Sequence, residues 1–442
     1  MLTLDDLDKD QSAAADVCVE RDNTFLVAGM GAGKSIIALT AIEELLWSHT
    51  LKRVLVLAPL RVCATVWACE HLKWQHTKHM NVGVLTAGNK DNFEPERYDI
   101  VAANFDMIPY MADSGMFIDF DGLVIDESTK LKSGGAWFKA LRHKVKHFEW
   151  RLVMTGTPVS ENWQQLFYQM FLVDGGETLG GNRQAFLDRY FYPTDFKQYN
   201  WAIKPTHINA LSGRISPYVY TVPDYTHQLP PLTVEHIDTP LPPDVWPVYN
   251  EMAGKLSTLG VTAQTAAVKV MKLQQIANGF LYDENKHTIK LHDAKIEKLK
   301  QLKKLGENEA IPNLLVIYQF QEELAVLRDV YGDEMMTLDE PGAVDLWNSG
   351  RLNILCMHPK SGGHGLNLAP GGNRIVWLSP PWSNDLFRQT NARLWRRGQI
   401  HPVTVYVLTA PDTVDQLILT RLQDKSAFMP ALLEHLAAHR AG

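Results

Sequence analysis

Four groups of residues in this chain have the types and spacing to do chemistry. The run Ala28-Gly29-Met30-Gly31-Ala32-Gly33-Lys34-Ser35 fits a phosphate-binding loop, with alanine in place of the usual first glycine. Small residues such as Gly29, Gly31 and Gly33 let backbone N–H groups wrap a polyphosphate, and the N-terminus of a following helix adds partial positive charge. Lys34 would reach the β- and γ-phosphates, and Ser35 would ligate Mg²⁺. Leu123-Val124-Ile125-Asp126-Glu127 reads as a hydrophobic strand ending in two carboxylates. Asp126 would hold Mg²⁺, directly or through water, and Glu127 would orient and deprotonate an attacking water. Thr155-Gly156-Thr157-Pro158 closes another strand, and the hydroxyls of Thr155 and Thr157 are candidates to sense the γ-phosphate end of the site. Arg393 and Arg396 stand three apart and are expected on one helix face. Fixed guanidinium forks suit the charge spread over a transferring phosphoryl group, where such an arginine is worth roughly 10³–10⁵ in rate. Arg397 reads as a DNA- or solvent-facing cation.

Each group needs an element to hold it. Residues 24–28 read as a short buried strand and Gly29 to Gly33 as a turn. Residues 35–47 read as a helix, through the periodicity of Ile36, Ile37, Leu39, Ala41, Ile42, Leu45 and Leu46. Strand-like runs recur at 54–57, 100–102, 123–125 and 152–154, with helical segments between some of them. This alternation predicts an α/β layer with a mostly parallel sheet, whose ligands gather at the carboxyl ends of the strands. After Pro158 the composition turns aromatic and turn-rich, and Pro230-Pro231 with Pro240, Pro242 and Pro243 mark a stiff connection. Helical patterning returns over about 244–281. A second α/β pattern follows, with strands at 314–318, 354–357, 374–378 and 403–408 and a helix from about Thr413. No fixed-period repeat or low-complexity tract interrupts this order.

Composition narrows the classes. At 442 residues and roughly 150 per domain, two or three domains are expected. Hydrophobic residues at 45% and charged ones at 21% exclude wholesale disorder. No apolar run approaches the roughly 18 residues that cross a bilayer. The acidic start, Met1-Leu2-Thr3-Leu4-Asp5-Asp6, does not read as a secretory signal. Cys18, Cys63, Cys69 and Cys356 form no C-x-x-C pair, which argues against a zinc or disulfide framework and fits a reducing cytoplasm. His358 and His364 have no clustered partners to suggest a metal. A formal charge of −7 argues against a histone-like coating protein but leaves room for a local basic groove. Two local excesses stand out: residues 286–304 carry seven lysines against two acids, and 386–400 carry four arginines and no acid. A solvated helix face explains the first equally well. Trp67, Trp74, Trp163 and Trp201 could stack on bases, but aromatics are mostly packing residues.

In their order, these motifs resemble helicase superfamily two. Within it they resemble the Swi/Snf-type DNA-dependent ATPases, in the short motor-only form common in bacteriophage genomes. The resemblance spans nearly the whole chain. Ser361-Gly362-Gly363-His364-Gly365-Leu366-Asn367-Leu368 is similar to that family's motif V, and Gln389 to Gln399 to its motif VI. More specific landmarks are Lys272-Leu273-Gln274-Gln275-Ile276 through Phe280, Lys295-Ile296-Glu297-Lys298-Leu299, and Thr413-Val414-Asp415 to Lys425. The implied fold is α/β, two RecA-like parallel-sheet lobes in tandem with a mainly helical insert between them. The lobes would span 1–230, with a protrusion starting near 160, and 285–442, with 231–284 as protrusion and linker. The implied cofactors are ATP and Mg²⁺, with Lys34, Asp126, Glu127, Arg393 and Arg396 catalytic.

The resemblance assigns further residues. Gln11 is placed to read adenine, with Asp10 standing where an aromatic residue is often found. Gly365 falls to the nucleotide side and Gln389 to coupling. Pro59 and Arg61 (motif Ia), Asn104 (motif Ib), Gln319 (motif IV) and Ser361, Gly362 and Asn367 (motif V) would hold nucleic acid. Asp126-Glu127-Ser128-Thr129 stands where the family has Asp-Glu-Ala-His. The expected activity is an ATP-driven translocase on double-stranded DNA, acting as a monomer in the cytoplasm (the host's, if the chain is viral), with room for an unidentified protein partner. A strand-separating or branch-migrating helicase on DNA or RNA is the alternative. A catalytically dead nucleic-acid clamp does not account for the intact Lys34, Asp126, Glu127, Arg393 and Arg396. A simple phosphate-loop kinase does not account for the second lobe.

Overall fold

The structure, a computed structural model, describes residues 1–156, 158, 163–197, 199–255, 257–258, 261–262, 265–306, 312–360 and 366–424. Thr157, Ser361, Gly362, His364, Gly365 and Lys425 lie outside the described residues. The chain divides into two compact units, the first over Met1–Tyr225 and the second beginning at Thr226.

The first unit is built on a seven-stranded sheet. Its strands are β1 (Asn23–Val27), β2 (Val54–Ala58), β3 (Val82–Leu85), β4 (Ile100–Asn104), β5 (Gly122–Asp126), β6 (Trp150–Thr155) and β7 (Val219–Thr221). They lie in the order β3-β4-β2-β5-β6-β1-β7, and every pairing is parallel. Every residue of β2, β4, β5 and β6 is buried, as unbroken apolar runs covered on both faces require. The register sets Val27 beside Thr155 and Asp126 beside Met154. Parallel strands bring their carboxyl ends to one edge. The phosphate loop after β1, Pro59 after β2, Asn104 at the end of β4, Asp126 and Thr155 therefore all reach that edge.

A separate protrusion was expected to begin near residue 160, but helices Gln165–Asp174, Arg183–Tyr190 and Ile208–Ile215 pack on this sheet. Phe167, Met170, Phe186, Leu211 and Ile215 share one hydrophobic core with Leu55, Ile125 and Val153, and β7 then pairs with β1. The reason is burial. Helix Gln165–Asp174 is apolar nearly all round, with Leu166, Phe167, Met170, Phe171, Leu172 and Val173 all inside, and cannot stand in solvent.

The second unit carries a six-stranded parallel sheet: β8 (Leu232–Asp238), β9 (Leu314–Ile317), β10 (Met335–Thr337), β11 (Ile354–Met357), β12 (Arg374–Trp377) and β13 (Val403–Thr409). The order is β8-β13-β12-β9-β11-β10. Strand β8 corrects the sequence reading, which made this stretch protrusion and linker. It pairs with β13 from Leu232↔Val403 to Asp238↔Thr409 as an edge strand. Because it is exposed over most of its length, it has no apolar run to announce it. Pro230-Pro231 ends just before it, where the missing N–H groups do no harm. Helices Trp246–Lys255, Ala266–Ala277 and Val414–Asp424 close a further core around Tyr249, Met252, Ile276 and Ile418. The expected insert is thus shared between the two units. Among the described residues no helix is long and apolar enough to cross a membrane.

Two of the distant sequence landmarks meet here. Lys295 Nζ lies 2.7 Å from Asp415 Oδ2, both side chains buried, and donates to Asn278 Oδ1 at 2.6 Å. Removing one partner of a buried pair leaves an uncompensated charge. Lys295→Met should therefore destabilise the second unit by about 3–5 kcal/mol, and adding Asp415→Leu should restore much of that. Hydrogen exchange on β9 and β13 reads both, and unchanged protection in Lys295→Met contradicts the assignment.

Candidate nucleotide site

The phosphate loop is shaped by two left-handed glycines, Gly31 at φ 78° and Gly33 at φ 83°. Gly33 caps helix Lys34–Trp47, and its conformation disfavours a side chain. Space forbids one as well, since a Cβ there would sit 2.3 Å from Gln11 Nε2. Gln11 comes from helix Lys9–Glu20, whose start is fixed by the Asp8 carboxylate accepting from the N–H groups of Asp10 and Gln11. The buried Gln11 carboxamide donates to Ala32 O at 3.2 Å and accepts from Asp8 N–H. Lys34 Nζ curls over the loop, donating to Ala28 O at 2.9 Å and Gly29 O at 3.1 Å. Tyr225 closes the far side, its hydroxyl donating to Met30 O.

Asp126 ends β5 facing this loop. Burial, with some help from the Glu127 charge, pushes its carboxyl up to about 6, against the Lys34 ammonium and a hydrogen bond from Trp67. Trp67 Nε1 donates to Asp126 Oδ2 at 3.1 Å from a fully buried ring. Glu127 is held at φ 65°, ψ 57°, the left-handed region, which a glutamate adopts only under constraint. The Thr129 hydroxyl donates to its Oε1 at 2.5 Å, so the residue standing where the family carries histidine steadies the carboxylate. Thr155 is buried at the end of β6. Gly156 abuts the loop, since a Cβ on it would meet Ala28 O at 3.4 Å and Lys34 Nζ at 3.8 Å. Lys34, Asp126, Glu127 and the 155–156 turn are therefore brought together. Such a cluster can hold a polyphosphate and a hard cation, and can place a carboxylate beside an attacking water.

In the second unit Arg393 and Arg396 also converge: Arg393 Nη1 donates to Leu366 O at 3.4 Å and Arg396 Nη1 to the same oxygen at 2.9 Å. The expected shared helix face is not how they do so. The helix Asn384–Asn391 ends before either residue, and successive turns carry them, with Arg393 N–H on Thr390 O and Trp395 N–H on Asn391 O. Just beyond them Gly398 takes φ 92°, and the buried Gln399 donates to Ala369 O and Gly372 O. Gln389 is buried on the helix.

Among residues assigned to nucleic acid, Pro59 and Arg61 are half-buried at the strand-end edge, and Asn104 donates to Asp106 Oδ2 at 3.1 Å. Asn367 is exposed. Gln319 differs from expectation: its carboxamide donates inward to Ser379 O and Pro380 O at 3.0 and 2.8 Å. Of the tryptophans, Trp67, Trp74 and Trp163 are buried packing residues and Trp201 is half-buried. Sequence reasoning missed Trp67, Tyr225 and the buried Gln169 as parts of the site. Each contacts it across a long stretch of chain and belongs to none of the motifs read from the sequence.

Two parallel α/β sheets in tandem, the first ending its strands in a phosphate loop and paired carboxylates, define a two-lobed ATPase core of the RecA-like type. Residues 11–309 match the model of the SNF2-related domain, and the chain belongs to that family. It is 32% identical over 448 residues to the putative protein p41 of Acyrthosiphon pisum secondary endosymbiont phage 1, covering 94% of this chain and 95% of that one. It is 22% identical to the DNA repair and recombination protein RAD54-like of Danio rerio, covering 92% of this chain and 63% of the relative. The chromatin remodeling factor mit1 of Schizosaccharomyces pombe is 21% identical over 93% of this chain, which spans only 32% of that protein. A solved structure, the Sulfolobus solfataricus SWI2/SNF2 ATPase core in complex with dsDNA, is similar at 19% identity and a TM-score of 0.45, covering 98% of this chain and 94% of that one.

Proposed function

We propose that this chain is a DNA-dependent ATPase that moves along double-stranded DNA. The observation that carries the reading is the meeting of Lys34, Asp126, Glu127 and the 155–156 turn at the carboxyl edge of one parallel sheet. Lys34 and the loop N–H groups bind the phosphates of ATP. Gln11, packed against the loop, lies on the side where the base enters. The Ser35 hydroxyl and the Asp126 carboxylate are hard oxygen donors that fit Mg²⁺, which when bound neutralises charge on the β- and γ-oxygens. Glu127 takes a proton from the attacking water. Arg393 and Arg396 act on the transferring phosphoryl group, where planar guanidinium forks suit the spread charge. The family and the relatives named for DNA repair support DNA as the track. Contacts through Pro59, Arg61, Asn104 and Asn367 would reach the backbone, so binding is sequence-independent and weakens with salt. The phage relative supports a host cytoplasm as the setting.

The distinguishing experiment is displacement of a third strand from a duplex carrying a triplex. ATP-dependent displacement without separation of the duplex itself is expected. Unwinding of the duplex favours the helicase alternative, and neither activity overturns the motor. Within the same reading, Glu127→Gln keeps the shape of the side chain but removes the base. Turnover should fall about 10²–10⁴-fold while bound ATP persists. Nucleotide release as fast as in the wild type removes Glu127 from that role.

A further inference from the structure

Gln169 lies on helix Gln165–Asp174, outside every motif, and its side chain is fully buried. A buried carboxamide needs partners for both ends. Its Oε1 accepts from Ser128 Oγ at 2.8 Å, and its Nε2 donates to Pro158 O at 2.5 Å, with a longer contact to Gln165 O at 3.4 Å. The orientation is fixed chemically, because turning the amide over would set two oxygens against each other at Pro158. Ser128, itself fully buried, follows directly on Glu127, whose left-handed backbone must be held by its surroundings. Pro158 lies two residues beyond Gly156, which abuts Ala28 and Lys34 of the phosphate loop. One amide thus ties the turn that carries the water-activating carboxylate to the segment leaving β6 beside the loop.

We infer that Gln169 is a positioning residue, a relay that keeps the Glu127 turn and Pro158 in register so that the carboxylate stands ready for hydrolysis. This rests on the motor reading above and adds to it what holds the Glu127 turn in place. Ser128 supplies the donor that makes the relay possible, where the family pattern has an alanine with no hydrogen bond to give.

The test is Gln169→Leu, close to glutamine in volume, assayed with saturating duplex DNA beside the wild type. Stimulated kcat should fall at least about tenfold, the scale of one lost buried hydrogen bond, while the KM for ATP stays within about twofold. The double variant Ser128→Ala/Gln169→Leu removes the stranded hydroxyl, so its melting temperature should recover while stimulated kcat does not. Stimulated kcat near wild type in Gln169→Leu overturns the relay, as does recovery of kcat together with melting temperature in the double variant. Should Gln169→Leu not fold, Gln169→Met serves instead: its flexible thioether fills the same space but cannot donate to Pro158, and the same loss of kcat is expected. A wild type whose hydrolysis nucleic acid does not stimulate overturns the motor reading itself. A stimulated wild type with an unaffected variant overturns the relay alone.

Discussion

Lys34→Ala should abolish ATP turnover and leave the fold intact. The ammonium stands over the loop on Ala28 O and Gly29 O, at the first residue of the helix that follows. It is the charge that would meet the β- and γ-phosphates. It also holds the buried Asp126 carboxyl down, since its attraction opposes the burial that raises that group. Alanine removes both effects at once, so Asp126 becomes harder to ionise at neutral pH as the phosphates lose their cation. Hydrolysis should drop by at least about 10³-fold, as expected when a preorganised charge is taken from a reacting phosphoryl group. Alanine is the strongest helix former, so the melting temperature should not fall. Wild-type-like hydrolysis in a purified, folded Lys34→Ala protein would remove the loop from the chemistry.

Arg396→Ala should be nearly as severe, and for a different reason. Arg396 shares the Leu366 carbonyl with Arg393, so two guanidinium groups are held side by side. If they act on the transferring phosphoryl group as proposed, losing Arg396 should lower stimulated hydrolysis by roughly 10³–10⁵-fold. ATP affinity should change much less, because the loop holds the nucleotide on its own. Arg396→Lys should rescue little, since an ammonium lacks the planar fork. The salt dependence of DNA binding should stay as in the wild type, because no backbone contact has been removed. A variant that loses salt-dependent DNA binding but hydrolyses pre-bound ATP normally would place Arg396 on the DNA instead.

The elements that hold the candidate site were legible because they are local. The runs at 54–57, 100–102, 123–125 and 152–154 are apolar throughout, as strands buried on both faces must be, and all four are strands. The glycine pattern around Gly31 and Gly33 predicted the turn, and two left-handed residues are there. What the sequence concealed are contacts between distant residues and elements without a burial signature. Trp67 reaches Asp126 across 59 residues, and Gln169 reaches Ser128 across 41. Neither spacing has a period to detect. Strand β8 is hidden by its exposure, and Gln319 looks free in sequence only because Ser379 and Pro380 lie 60 and 61 residues away. The spacing of Arg393 and Arg396 predicted a shared helix face, and the turns that instead bring both to Leu366 O left no pattern in it.

The measurement that bears most directly on the motor is the ATP hydrolysis rate of the full chain with linear duplex DNA, single-stranded DNA and RNA in parallel, at one stated salt concentration. Saturable stimulation of at least about tenfold by the duplex, weakening steeply as salt rises, is the expected result. Hydrolysis indifferent to every polynucleotide, or none at all with Lys34, Asp126 and Glu127 in place, would contradict it.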